Sequence, residues 1–178
     1  MDDRVDELVR EWGERRPELD FSPFELISRL TRATHYVQSR LDEIAAAYGL
    51  SHTGDLDVLA SLDRAGPPYE RTPSQLAQMQ LVTAGGMTVR LNRLQQAGLI
   101  DRRPNPNDGR GVLVRLTRMG REVIDDALPT VLEAQTGAMS VLDQSKQDLL
   151  ATLLRELLVG LGDTPAFRPA VAVARHKT

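Results

Sequence analysis

The chain has no cysteine among its 178 residues. That removes disulfides, thiol nucleophiles and cysteine-based peroxide sensing from consideration. It has no run of 18 apolar residues, so no membrane span is expected. The opening stretch MDDRVDELVR is charged and lacks the apolar core of a secretory signal, which makes a cytoplasmic protein the expectation. Catalytic signatures are missing too: there is no GxSxG, no phosphate loop and no HExxH. Asp2-Asp3 is a terminal pair and Asp125-Asp126 an exposed helical one, and neither suits acid/base work. His35, His52 and His176 stand at no recognised ligand spacing, so no metal and no cofactor are expected, and no enzyme.

What is present is an uneven charge. Overall the chain carries −3, a balance that argues weakly against a nucleic-acid partner. Yet residues 83–121 hold eight arginines against two acids, Asp101 and Asp108, a local balance of +6. The rest holds 14 basic and 23 acidic residues, a balance of −9. An ordinary solvated face mixes its signs. A basic segment inside an acidic chain is the electrostatic footprint of a nucleic-acid partner.

Periodicity places that segment in a mostly helical chain. Val5, Leu8, Val9 and Trp12 form one stripe that Pro17 stops. Ser22-Pro23-Phe24-Glu25 reads as a capping box opening a long helix that ends at Gly49. Leu56, Leu59 and Leu62 mark a third helix. Tyr69-Glu70-Arg71 suits a short strand. Thr72-Pro73-Ser74-Gln75 is another capping box, and Thr83 caps a further helix running to Gly98. Two short helices about a tight turn make a helix-turn-helix, and the strands at 99–102 and 111–116 add a wing. Thr117 opens a long helix in which Pro129 predicts a kink or break, and Asp143 caps a leucine-rich last helix.

The expected fold class is mainly α with a small β-wing: a winged helix-turn-helix in an obligate homodimer with a helical dimerisation layer. The expected divisions are 1–50, N-terminal and long dimerisation helices; 51–116, the winged lobe; 117–160, C-terminal dimerisation helices; and 161–178, a flexible tail. A two-fold dimer lets two reading heads match a palindrome in double-stranded DNA.

On a helical wheel of residues 83–98, Met87, Leu91, Leu94 and Gly98 face the core, opposite Gly85, Val89, Asn92 and Gln96, with Thr88 and Arg93 on the flanks. Gly85-Gly86 fits either tight helix packing or close approach to a phosphate at the helix start. Asn92 and Arg93 suit base edges or phosphate, and Val89 or the Thr88 methyl suits a thymine methyl. Arg90 falls at the edge of the buried stripe, in a seam. In the wing, prolines pre-set the turn, Asp108-Gly109 reverses it, and Arg110 at the tip suits a narrow minor groove. Asp108 fits as an anchor for Arg102 or Arg110. Arg103, Arg115, Arg118 and Arg121 supply attraction to the DNA backbone.

The pattern TPSQLA…TAGGMTVRLNRLQQAGLIDRRPNPNDGRGVLVRLT resembles the MarR family of bacterial winged-helix regulators, most specifically in DxRGVLVxLT, Asp108 through Thr117. The resemblance covers roughly residues 22–160. It implies a helical homodimer whose winged lobes read a palindrome. The extra N-terminal helix with Trp12, then RPELD, DVLASL and GGMTVR…DRR, is similar to the urate-responsive branch of that family. Trp12, Asp57, Arg90 and Arg102 match that branch's ligand and switch positions. The implied mechanism has a small anionic effector walled by Trp12 and neutralised by Arg90, disturbing an Asp57–Arg102 ion pair and releasing the DNA, as a repressor would. Urate or another purine is the first candidate. Citrate-like carboxylates and acidic natural products stay open, as does a winged-helix protein-interaction module without a ligand. Two arginines select negative charge, not one molecule.

Overall fold

The computed structural model describes residues 2–106 and 108–164, with the side chains of residues 108–110 excepted. In chain order the elements are α1 (Arg4–Arg15), α2 (Ser22–Ala47), α3 (Thr53–Asp63), β1 (Glu70–Arg71), α4 (Pro73–Met79), α5 (Ala84–Gln96), β2 (Ile100–Asn105), β3 (Asp108–Leu116), α6 (Arg118–Met139) and α7 (Gln144–Gly160). The chain divides into two compact units, Met1–Leu41 and Asp42–Thr178, with the division inside α2. Asp42 already serves the second unit, where its carboxylate accepts from both the backbone and the hydroxyl of Thr53 at the start of α3.

In the first unit, Asp3 caps α1 by accepting from Val5 and Asp6 backbone nitrogens, and Asp6 accepts from the Asp3 backbone in return. Arg29 of α2 binds Asp3 and Asp6 of α1 (2.8 and 2.6 Å) and Glu25 on its own helix. Trp12 stacks on Phe21 with ring centroids 5.7 Å apart. The capping box expected at Ser22 does not form. Ser22 donates its hydroxyl and its backbone N–H to Asp20 instead, and Glu25 is engaged by Arg29. Asp20 takes the Ser22 N–H that Glu25 would accept in a capping box, and the Glu25 N–H donates to the Phe21 carbonyl rather than to the Ser22 hydroxyl.

The second unit holds the core. Leu56, Leu59 and Leu62 of α3 are buried with Leu76, Met87, Leu91, Leu94, Ile100, Val114, Leu116 and Ile124. The helix-turn-helix is α4 and α5, each opened as its sequence dictates. Thr72 and Gln75 form a reciprocal capping box with Pro73 in the first turn, and Thr83 accepts from Gly86 N. The sheet runs β1–β3–β2, both pairs antiparallel. The Tyr48 hydroxyl joins the Asp126 carbonyl and Thr130 of α6.

The wing departs from expectation in one respect. Its strands extend further, so Pro104 lies within β2 opposite Val112 rather than in the turn. A proline fits there because β2 is an edge strand, where a missing N–H costs no ladder bond. The strand Asp108–Leu116 returns directly after β2, with Asp108-Gly109 at its start and Asn105 facing Asp108. The register shift between Pro104 and Asn105 absorbs Gly109, Arg110 and Gly111 on β3.

Helix α6 runs through Pro129 without a break. Asp143 caps α7 by accepting from Lys146 N, and the Ser145 hydroxyl, the Lys146 ammonium and that backbone bond together hold its carboxyl down at about 2. The expected flexible tail lies mostly outside the described residues, which end at 164. No helix among the described residues is long and apolar enough to cross a membrane.

Candidate nucleic-acid interface and ligand seam

Helix α5 buries Met87, Leu91 and Leu94 and exposes Gly85, Thr88, Val89 and Asn92, as its apolar spacing dictates. Val89 keeps 57% of its surface in solvent. The Thr88 hydroxyl donates to the Ala84 carbonyl (2.8 Å), which leaves its methyl for outside contact. Of the two explanations for the glycines, packing within the chain fails at Gly85: a Cβ there meets nothing within 4 Å. At Gly86 the nearest atom is the Oγ1 of the capping Thr83, at 3.3 Å.

Arg93 departs from its expected role. Its guanidinium forks onto both oxygens of Asp55 in α3, at 2.8 and 3.1 Å, and Asp55 is only 2% exposed. The hydrogen bond to Asp55 raises the Arg93 pKa further. A buried carboxylate needs its counter-charge, so this arginine fastens α5 to α3 rather than lying free for bases or phosphate. Asp55 escaped sequence reading because two acids, Asp55 and Asp57, stand two apart in the same apolar helix, and nothing in the sequence says which one turns inward.

Arg90 sits in the seam the wheel indicates. Its Nη1 donates to Gln80 Oε1 (2.7 Å) and, more weakly, to the Gly54 carbonyl (3.4 Å). The guanidinium lies where a Gly54 Cβ would be, 2.3 Å from Nη1, so a side chain at 54 would push it out of this seam. Asp57, one turn along α3, is within electrostatic reach. Although its side chain reaches solvent, partial burial raises its carboxyl above the usual range, against the opposing pull of Arg90 and Arg64, while Asp42 adds to the rise.

The expected Asp57–Arg102 pair is not formed. Arg102 lies half-buried on β2 in register with Val114, whereas Asp57 is on α3 with Arg90 and Arg64 as its cationic neighbours. Arg103 is also claimed, by Glu70 across the sheet. Arg115 stands in register with two acids, Glu70 and Asp101. Arg118 pairs with Glu122, and Arg121 lies over the Tyr69 ring at 4.4 Å. The +6 of residues 83–121 is therefore partly neutralised by acids elsewhere in the chain, chiefly Asp55, Glu70 and Glu122. The side chains of Asp108 and Arg110 lie outside the described residues. Trp12, in the first unit, keeps 44% of its surface exposed. No group of three or more acidic or histidine side chains that could hold a metal occurs among the described residues.

Comparison with known proteins agrees with this architecture. A family model described as MarR family matches residues 48–111. The chain is 33% identical over 150 residues to the transcriptional regulator PecS of Dickeya dadantii, covering 84% of this chain and 90% of that protein. Among solved structures, Sco5413, a MarR family transcriptional regulator from Streptomyces coelicolor, is 26% identical with a TM-score of 0.71, over 81% of this chain and 98% of that one. A mutant of MarR from Escherichia coli complexed with operator DNA is 26% identical with a TM-score of 0.69, over 83% and 97%.

Proposed function

The chain belongs to the MarR family of winged-helix transcriptional regulators, not to an enzyme family, and on that premise we propose that two copies bind a pseudo-palindromic DNA site in the cytoplasm and release it when a small anion binds. The observation that carries the DNA reading is Gly85: a helix-weakening residue, exposed, with no packing reason to be glycine. Close approach of the α5 start to a phosphate gives it one. Thr83, Gly85, Gly86, Thr88, Val89 and Asn92 are the proposed contacts on α5, with Arg110 entering the minor groove and Arg103 and Asp108 supporting the wing. Arg110→Ala is expected to weaken binding by about 1–3 kcal/mol across sequences.

The dimer follows from unburied apolar surface. None of the 17 residues of α7 is buried, although Leu149, Leu150, Leu153, Leu157 and Leu158 all project from it. A leucine-rich helix with no buried residue is half of an interface, and a two-fold copy of the chain supplies the other half.

The effector reading rests on Arg90, whose cation is held in a seam by neutral partners, Gln80 and the Gly54 carbonyl, rather than by a bonded acid. Such a cation accepts an anion at low desolvation cost. Urate and related purines come first, with citrate-like acids as the second class. The Asp57 carboxylate next to Arg90 is the proposed sensor, and Arg102 transmits to the wing. The test is a molecular-mass measurement in solution, then a thermal-shift screen of purines and small carboxylates, then gel shift on the DNA upstream of its own gene. A dimer that shifts this DNA and loses it to one of these anions is expected. A monomer, or a dimer that binds DNA without salt dependence, contradicts the reading.

A further inference from the structure

We infer that α5 reads A·T base pairs, through the Val89 side chain on a thymine methyl and the Asn92 amide on adenine, and makes no guanine contact. The inference rests on the DNA-binding reading above and adds which bases the helix selects. Its starting point is which side chains of α5 are free. The commonest specific contact in a major groove is arginine forked onto guanine O6 and N7. Helix α5 carries two arginines, and neither is free to make it. Arg93 already forks onto Asp55 with Nε and Nη2, and lifting it away strands a carboxylate that is 2% exposed. Arg90 lies in the α3 seam on Gln80 and Gly54.

What remains on the outward stripe is Gly85, Val89, Asn92 and Gln96, at spacings of four, three and four. All four are exposed, and none is charged. Val89 has an apolar surface more than half open, and the major-groove edge that offers an apolar partner is thymine with its C5 methyl. Asn92, one turn on, has the donor–acceptor pair that matches adenine N7 and N6. Thr88 beside them spends its hydroxyl on Ala84, so it too presents a methyl. The open space at Gly85 lets the helix start come close enough for side chains as short as valine and asparagine to reach base edges. A long arginine reads a base from further away; these residues cannot, and the glycine removes the obstacle.

The test takes the full-length protein and a selected duplex site. Randomised duplexes are first used to find the preferred sequence, and each thymine in a half-site is then replaced in turn by uracil, which lacks only the C5 methyl. The expected result is at least one thymine per half-site whose methyl is worth about fivefold or more in affinity to the wild type. Val89→Ala, a surface change that leaves the core intact, is expected to lose that affinity and to bind the thymine and uracil duplexes equally. Asn92→Ala is expected to relax the choice of adenine at a neighbouring position. Selection of guanine at the positions facing α5, with Arg93→Lys abolishing that choice, overturns the inference. So does a wild type indifferent to every thymine methyl. A wild type that selects no sequence at all refutes the DNA-binding reading and this inference with it, whereas one that selects a site but ignores the methyls refutes this inference alone.

Discussion

Asp55 and Asp57 sit two residues apart on one helix and do different things. The first is buried and forked by Arg93. The second reaches solvent near Arg90 and titrates above the usual carboxylate range. Arg93→Ala strands the buried Asp55 charge and is expected to cost about 2 kcal/mol or more of stability in chemical denaturation, somewhat below the full value for a buried pair because Arg93 is a third exposed. Asp55→Asn in the same background is expected to recover part of that loss. For Asp57 the sign runs the other way. Its folded pKa is raised, so the folded chain binds its proton more tightly than the unfolded chain does. The penalty is absent well below the unfolded value of 3.8, builds as pH rises from there to the folded value, and is constant above it. Asp57→Asn is therefore expected to match the wild type in strong acid, to gain relative stability as pH rises from 3.8 to the folded value, and to hold that gain above it. A gain that shrinks with rising pH contradicts that account.

At the scale of elements, α5 is the test piece. Thr83→Ala removes the cap on Gly86 N and is expected to cost about 1 kcal/mol of stability. Gly85→Ala is expected to do the opposite, adding up to about 1 kcal/mol because the new Cβ meets nothing, while weakening DNA binding. If it raises stability and leaves DNA affinity unchanged, the close approach of α5 to DNA is wrong. Most of this architecture was legible in sequence. The caps at Thr72, Thr83, Thr117 and Asp143 form as read, and the apolar spacing picked out the buried face of α5. Such signals are local, within four residues, and periodicity reports them directly. What stayed hidden was long-range pairing. Arg93 with Asp55 spans 38 residues, and Arg103 with Glu70 spans 33. Charge counting along the chain saw these arginines as free because their partners come from elsewhere in the chain. The wing turn was misplaced for a different reason: Pro104 reads as a breaker, yet an edge strand accommodates it.

For the whole molecule, the proposed DNA-reading face of α5 and the proposed effector-sensing Arg90 belong to the same helix, with Arg90 at the edge of its buried stripe. Arg90 turns inward, Val89 and Asn92 outward, so under the proposed reading one helix carries both functions. On that proposal, a ligand that pulls on Arg90 would move the helix proposed to read the bases. Coupling of this kind is reciprocal, so DNA must also weaken effector binding by the same factor. The most direct measurement is fluorescence anisotropy of a labelled duplex from upstream of the protein's own gene, titrated with wild type and Arg90→Ala, each with and without urate or citrate. The account predicts that both proteins bind the duplex, that at least one of the anions releases the wild type, and that Arg90→Ala holds on at the same anion concentration. Release of Arg90→Ala by the same anion at the same concentration would contradict it, as would a wild type that no anion displaces.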